Sequence, residues 1–370
     1  SSDLSIRSLD ASHFRTVASH RAALVALFKD YRVLLGQGVI ARFDAATYSD
    51  AIGFARMGEG SLGGKARGLA FLNALLQKYA LYDKYPNVRI RIPRSVVIAT
   101  DYFDEFIRTN GLEYVIGREM SDEELLTEFV SSHLPERLLA DLKVFVSTVK
   151  RPLAIRSSSK LEDSHYQPFA GIYSTYMIPR TDDEDQTLRL LLKAVKSVYA
   201  SVYFAASRAY IQTSQNLLSE EKMAVIVQEV CGTGQEGFFL PTFSGVARSI
   251  NHYPIGDERP EEGICNLAMG LGKIVVDGGR TLRFSPRWPQ RVLQTSTPGL
   301  ALRETQDEVM VLDLRPEAFR TSSDDAVNVR RLDLATAGRL RQMRFVGSVW
   351  DRENDRISDS PTNPGRKLIT

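Results

Sequence analysis

Apolar residues recur at helical spacing in several long segments of this chain. In residues 9–36 and 64–80 they fall on one broad face, three or four positions apart. Residues 183–212 carry the same spacing over a longer stretch, and residues 121–149 carry it twice, opened by a Ser-x-x-Glu capping box. These patterns predict single helices at 9–36, 64–80 and 183–212, and two helices within 121–149.

Shorter segments have the composition of strands. Residues 88–100 are rich in β-branched side chains, and "PLAIRSSS" at 152–159 predicts a strand running into a polar loop. In 222–231, six of ten residues are Met, Ala, Val or Ile, which is typical of a buried strand. Further short strands follow, including 308–314. After about residue 317 the pattern is polar, with little hydrophobic organisation before 339–350.

Helices mixed with short strands, with the strands concentrated after residue 220, predict an α+β protein of two lobes. The strict alternation of a doubly wound sheet is absent from the sequence. The expected domains are a helical extension at 1–50, a first lobe with a helical insertion at 51–221, a β-rich second lobe at 222–316, and a polar segment at 317–370. That last segment is expected to continue into a longer protein.

Composition narrows the class of protein. The 370 residues are 43% hydrophobic with a net charge of +2, a balance that predicts neither a nucleic-acid nor a membrane partner. No apolar run approaches the roughly 20 residues that span a bilayer, and the N-terminal residues lack the apolar core of a signal peptide. Two cysteines are too few for a disulfide framework, so a reducing, cytoplasmic setting is expected.

The first candidate for chemistry is the glycine-rich stretch "GEGSLGGKARG" at 58–68. A Walker A loop is excluded, because Glu59 replaces its first glycine and Ala66 its hydroxyl residue. Even so, Lys65 beside Gly64 at a helix start combines a charge with backbone N–H groups, which suits an anion. The alternative is a flexible loop with a solvated lysine.

The second candidate is the stretch at 154–176. Arg156 directly follows a short apolar strand, and Ser157 is the first of three hydroxyl residues. Gly171 and Thr175 come later in the same stretch. Arginine offers a planar fork of donors for phosphate, and small residues let backbone approach a ligand. An ordinary polar surface loop explains the same residues.

The third candidate is "IVQEV" at 226–230. Its apolar strand carries Gln228 and Glu229, and its C-terminal end could offer main-chain groups to a purine edge. The alternative is a core strand with two polar residues on an exposed face.

In order and spacing, these segments resemble the N-terminal nucleotide-binding domain of the phosphoenolpyruvate synthase and pyruvate phosphate dikinase family. The most specific match is Val-Arg-Ser-Ser-Ala-x-x-Glu-Asp followed by Phe-Ala-Gly, which corresponds here to 155–163 and 169–171. The other family motifs match at 62–69, 92–100, 225–230, 244–248 and 270–278.

The resemblance implies an ATP-grasp-like fold with the nucleotide in the cleft between two lobes. Carried over residue by residue, it implies that Lys65 and Arg156 are the catalytic residues and hold the ATP phosphates. Gly64 and Ser157 would also bind the nucleotide. Gly171 and Thr175 would belong to the loop that closes over the phosphates. The adenine would lie beside Gln228, Glu229 and the backbone of Val230. ATP and Mg²⁺ are the expected cofactors.

Two positions depart from the family pattern. Asp313 stands where the family has glutamine in its Gln-x-Arg-Pro strand, so "EVMVLDLRP" is interpreted as an unrelated strand. The metal ligands are therefore not identified and are expected beyond residue 370. Lys273 replaces the usual glutamate of the Gly-Leu-Gly stretch.

The resemblance implies that the parent protein passes phosphoryl from ATP to a histidine on a separate domain, and finally to pyruvate. The five histidines of this sequence lie outside that domain's signature, and His165, in the phosphate loop, is more simply a surface residue. The expected partners are downstream phosphohistidine and pyruvate-binding domains of the same protein. Three alternatives stay open: a dikinase with a glucan or antibiotic acceptor, a non-catalytic nucleotide sensor, and an α+β protein with chance glycine loops.

Overall fold

The computed structural model describes residues 16–17, 21, 40–49, 52–116, 118–159, 173–213 (without the side chains of 212 and 213), 221–324 and 328–370. The chain divides into two compact units. The first consists of Ser1–Lys150, Ala154–Thr175 and Val195–Glu229, and the second of Arg151–Leu153, Tyr176–Ala194 and Val230–Thr370. The domain boundaries expected from the sequence stay a prediction. The helix predicted at 9–36 lies outside the described residues, apart from Thr16, Val17 and Arg21.

The regular elements are numbered here in chain order. The strands are β1 (Ala41–Arg42), β2 (Phe54–Met57), β3 (Ser95–Ile98), β4 (Leu153–Ser159), β5 (Thr175–Ile178), β6 (Met223–Glu229), β7 (Thr233–Gln235), β8 (Phe238–Leu240), β9 (Phe243–Arg248), β10 (Ile264–Met269), β11 (Leu282–Phe284), β12 (Glu308–Asp313), β13 (Val329–Asp333), β14 (Gly347–Asp351), β15 (Arg356–Ser358) and β16 (Arg366–Ile369). The helices are α1 (Gly63–Lys78), α2 (Thr100–Thr109), α3 (Asp122–Ser131), α4 (Glu136–Thr148), α5 (Glu184–Ala200), α6 (Ala205–Thr213), α7 (Lys273–Val276), α8 (Pro298–Glu304), α9 (Leu334–Ala337) and α10 (Met343–Val346).

A mixed sheet forms the centre of the first unit, with neighbouring strands in the order β1-β2-β3-β6-β4. Strands β1, β2 and β3 run parallel, and β6 runs antiparallel to β3 with Ser95 opposite Gln228. The strand predicted at 88–100 is shorter than expected. It begins only at Ser95, because Pro93 lacks the N–H that a ladder needs.

Helix α1 packs one face against this sheet. Leu62, Ala66 and the partly buried Leu69 contact Val97 of β3 and Ile226 of β6 in one apolar cluster. Burying an aliphatic side chain of this kind contributes about 1.5–3 kcal/mol. The packing therefore fixes the position of the helix whose first turn holds Gly63, Gly64 and Lys65.

The predictions for the other helices had mixed outcomes. Two helices fill 121–149, and Ser121 forms the predicted capping box with Glu124. The single helix predicted at 183–212 is wrong, since α5 ends at Ala200 and α6 starts at Ala205 after a 3₁₀ turn. The buried Ser201 and Ser207 bond backbone carbonyls at this break, and such bonds compete with a continuous helix.

The second unit contains three antiparallel sheets, in the orders β11-β10-β9, β13-β12-β8-β7 and β15-β14-β16. One apolar cluster of this unit joins residues that are widely spaced between positions 240 and 369, including Leu240, Val309, Val311, Leu332, Leu340, Met343 and Ile369. The polar stretch after 317 thus supplies single apolar side chains from short strands and turns. Isolated contributors of this kind leave no periodic signal in the sequence.

Candidate functional site

The start of α1 lies directly against β4. The hydroxyl of Ser158 donates to the carbonyl of Leu62 (2.8 Å) and accepts from the N–H of Ala66 (3.0 Å). These two backbone groups are four residues apart and form the first carbonyl and N–H pair of the helix, so the hydroxyl contacts the helix where it begins. Gly63, between them, has a φ of +70°, and a Cβ there would lie 1.8 Å from the carbonyl oxygen of Ser158. Gly63 is therefore required by the seating of α1 on β4.

Lys65 reaches the same strand from the first turn of α1. Its Nζ lies 3.2 Å from Oγ of Ser157, a residue 92 positions further along the chain. Ser157 is fully buried and Lys65 is half-buried. The fold thus joins the first and second candidate segments, placing the lysine beside the residue that follows Arg156.

Arg156 lies in the middle of β4, not after the end of a strand as the sequence indicated. The prediction missed the full length of β4 because the serines at its C-terminal end are polar, although they are all buried. Buried hydroxyls can satisfy their hydrogen bonds within a fold, so polarity alone did not mark a loop.

A row of polar side chains crosses three strands at Arg156. Its Nη1 lies 3.5 Å from Oε1 of Gln228 on β6, and Nε2 of Gln228 donates to Oγ of Ser95 on β3 (2.9 Å). The Ser95 hydroxyl donates in turn to the carbonyl of Pro93 (2.8 Å). The serine therefore acts as acceptor for the amide, which turns the Gln228 oxygen towards the guanidinium.

The remaining residues of the third segment bond within the protein. The Glu229 carboxylate lies 3.3 Å from Nη2 of Arg94, and its N–H donates to the Arg94 carbonyl (2.9 Å). The N–H of Val230, in the second unit, donates to the carbonyl of Pro152 (2.8 Å). Because the N–H groups of Glu229 and Val230 already donate hydrogen bonds within the protein, the predicted contact with adenine would have to use carbonyl oxygens or side chains.

The remaining predicted site residues are Gly64, Thr175 and Gly171, and the structure describes the first two of them. Gly64 is buried as the second residue of α1, and Thr175 is half-buried at the start of β5. Gly171 lies outside the described residues, as do His165 and the Phe-Ala-Gly motif. Ligand contacts at all of these positions stay predictions.

Sequence reasoning missed two residues of this site. Ser158 bonds the backbone at the start of α1, and Ser95 orients Gln228. From the sequence, neither serine was distinguished from other hydroxyl residues. A signal was available for Ser158, because it lies inside the most specific family motif, between Ser157 and the acidic pair.

The two departures from the family pattern have structural partners in the second unit. Nζ of Lys273, the first residue of α7, lies 3.6 Å from the carboxylate of Asp277, the residue that follows the helix. Asp313 is the last residue of β12, which confirms the strand predicted at 308–314 to within one residue. Its buried carboxylate accepts hydrogen bonds from Arg315 (2.7 and 3.0 Å) and Arg330 (3.4 Å). Within the described ranges, no group of three His, Cys, Asp or Glu side chains could hold a metal ion.

Asp313 should make the stability of the second unit depend on pH. Hydrogen bonds and charge from Arg315, assisted by Arg330, lower the pKa of Asp313 from its ordinary value of 3.8 to about 2. Because this pKa is lower in the folded protein than in the unfolded chain, the ionised carboxylate stabilises the folded protein above pH 3.8. This stabilisation is lost as the pH falls towards 2. Between about pH 5 and pH 3, Asp313 should lower the free energy of unfolding by about 1 kcal/mol. The Asp313→Asn variant should lack this contribution.

Urea unfolding followed by tryptophan fluorescence measures this loss, since Trp288 and Trp350 both lie in the second unit. Asp307→Asn is the matched control, because its carboxylate pairs with Arg280 in an exposed ion pair, a kind that contributes little. Equal pH dependence in Asp313→Asn and the wild type would contradict the prediction.

Residues 59–329 match the family described as pyruvate phosphate dikinase, AMP/ATP-binding domain. The chain belongs to this family. The match confirms the resemblance inferred from the motifs and, with the mixed helices and sheets, the predicted ATP-grasp-like α+β fold. No helix among the described residues is long and apolar enough to cross a membrane.

Three relatives show to which kinds of protein the chain is similar. The chain is 27% identical over 190 residues to the uncharacterized phosphotransferase YvkC of Bacillus subtilis, covering 51% of this chain and 20% of the relative. It is 28% identical over 217 residues to the prodigiosin synthesizing transferase PigC of Serratia marcescens (55% and 22%). It is 26% identical over 211 residues to phosphoenolpyruvate synthase of Aeropyrum pernix (51% and 24%). The matches therefore span a quarter or less of each relative.

Proposed function

We propose that this chain is the ATP-binding domain of a phosphoenolpyruvate synthase-like dikinase. In the parent protein it would transfer phosphoryl from ATP to a histidine on a separate domain, and ultimately to pyruvate. The observation that carries the proposal is the 3.2 Å contact between Nζ of Lys65 and Oγ of Ser157, because it joins two motifs that are 92 positions apart and that each contain one of the two cationic residues.

The chemistry of these residues suits a triphosphate. Lys65 and Arg156 supply two positive charges, and the N-terminal end of α1 adds its dipole and backbone donors. Phosphoryl transfer depends chiefly on such positioning and charge stabilisation. The role of Lys65 would be to hold phosphate oxygens, and Gln228 would keep the Arg156 guanidinium in place. Mg²⁺ is expected from the family, but the described residues offer no ligand cluster for it, so no step is assigned to it.

ATP with Mg²⁺ should raise the melting temperature, by the equivalent of about 2.7 kcal/mol at 100 times the dissociation constant. The double variant Lys65→Ala with Arg156→Ala should lose this shift, because both phosphate-binding cations are gone. Differential scanning fluorimetry measures it. Lys78→Ala is the control, since Lys78 is an exposed lysine in the last turn of the same helix. A shift that survives in the double variant would show that the assigned site is wrong.

A dikinase with another final acceptor is the second candidate, and the similarity to PigC favours it. Relatives named for different products share this domain, so the acceptor would be chosen by domains elsewhere in the parent protein. Either dikinase, acting in the cytoplasm with its phosphohistidine domain, should release AMP from ATP. Full-length protein that binds ATP without forming AMP would instead support a non-catalytic nucleotide sensor.

A further inference from the structure

The loop of residues 58–62, which leads into α1, is held by the first two residues of α2. The Asp101 carboxylate accepts from the N–H of Glu59 at Oδ2 (2.9 Å) and from the N–H of Gly60 at Oδ1 (3.0 Å). The Thr100 hydroxyl accepts from the N–H of Ser61 (2.9 Å), whose carbonyl accepts from the Thr100 N–H (3.0 Å). Three successive N–H groups of the loop are therefore bound by two adjacent side chains.

The glycines of this loop make the approach of Asp101 possible. Gly58 has a φ of +88°, and a Cβ there would lie 2.4 Å from Oδ1 of Asp101. A Cβ on Gly60 would lie 2.5 Å from the backbone nitrogen of Asp101. Contact with Asp101 thus explains two of the glycines in the glycine-rich stretch at 58–68.

The carboxylate also has a favourable setting. Asp101 lies in the first turn of α2, where a negative charge is stabilised by the helix dipole. Both oxygens accept charge-assisted hydrogen bonds, which are stronger than neutral ones. On the other side of the loop, the Glu59 side chain pairs with Arg56 (2.9 Å) and Arg42 (3.1 Å). The loop backbone is consequently fixed by its own partners without any ligand.

We propose that Asp101 is a positioning residue for nucleotide binding. By fixing residues 59–61, it sets where α1 begins and so where Lys65 is presented. Asparagine could not replace it, because one oxygen would become an NH₂ group that faces a backbone N–H. This inference rests on the proposed ATP-binding function.

The experiment compares Asp101→Asn with Asp104→Asn, a control on the next turn of α2 whose carboxylate pairs with Lys222 at the surface. Isothermal titration with ATP and Mg²⁺ should show affinity about tenfold weaker for Asp101→Asn and unchanged for Asp104→Asn. Amide hydrogen exchange without ATP should show faster exchange at residues 59–61 in Asp101→Asn alone.

The outcomes separate the inference from the function on which it rests. Wild-type ATP affinity retained in folded Asp101→Asn would overturn the positioning role and leave the proposed function standing. A wild-type protein that binds no ATP would overturn both. Because Asp101→Asn could lose its fold, Thr100→Val is the second variant, replacing the hydroxyl that accepts from Ser61 by a methyl of similar shape. It should weaken ATP binding about threefold, and unchanged affinity in it would also count against the inference.

Discussion

Replacing Gly63 with alanine is expected to lower the free energy of unfolding by about 2–5 kcal/mol and to abolish ATP binding. Two costs add together. A φ of +70° disfavours any residue with a Cβ, by about 1–2 kcal/mol. The new Cβ would also lie 1.8 Å from the carbonyl oxygen of Ser158, so the helix start or β4 must move, and such overpacking costs about 1–3 kcal/mol. That movement would carry Lys65 away from Ser157.

Urea unfolding followed by far-ultraviolet circular dichroism measures the effect. Gly68→Ala is the matched control in the same helix, because Gly68 is exposed and a Cβ there meets nothing within 4 Å. Since alanine favours helix over glycine, this control should stabilise by about 0.5–1 kcal/mol. Equal stability of Gly63→Ala and Gly68→Ala would show that the tight seating of α1 on β4 is not real.

Local pattern was sufficient for much of the fold and for the family to which the chain belongs. The helix at 64–80 and the buried strand at 222–231 follow from periodicity and composition, and both elements are present. The motifs also identified the family, whereas the roles of Lys65 and Arg156 stay predictions. These successes share a cause, because each rests on residues that are contiguous or lie in a fixed motif.

The parts that could not be predicted depend on contacts between distant residues. Asp101 lies 42 positions from Glu59, and neither residue belongs to a motif that would link them. The polar serines of β4 concealed a buried strand because Ser157 and Ser158 bond Lys65 and Ala66 of α1, about 90 positions earlier in the chain. The reason for glycine at 58 and 60 could not be predicted either, because it is the close approach of Asp101.

Ser158→Ala is expected to destabilise the protein by about 1–3 kcal/mol. The fully buried hydroxyl bridges the carbonyl of Leu62 and the N–H of Ala66, so its removal leaves two buried backbone groups without their partner. The same hydroxyl also ties the start of α1, the helix that carries Lys65, to β4. We therefore expect the loss of stability to be accompanied by weaker ATP binding.

Urea unfolding by circular dichroism and ATP titration test this expectation. Ser147→Ala is the control, since Ser147 is exposed and its hydroxyl bonds only the nearby Val144 carbonyl. The double variant Gly63→Ala with Ser158→Ala adds a sharper comparison. Because both changes disturb one contact between α1 and β4, the double variant should lose less stability than the sum of the losses in the two single variants. Strict additivity would mean that Gly63 and Ser158 act independently, and it would contradict the shared contact.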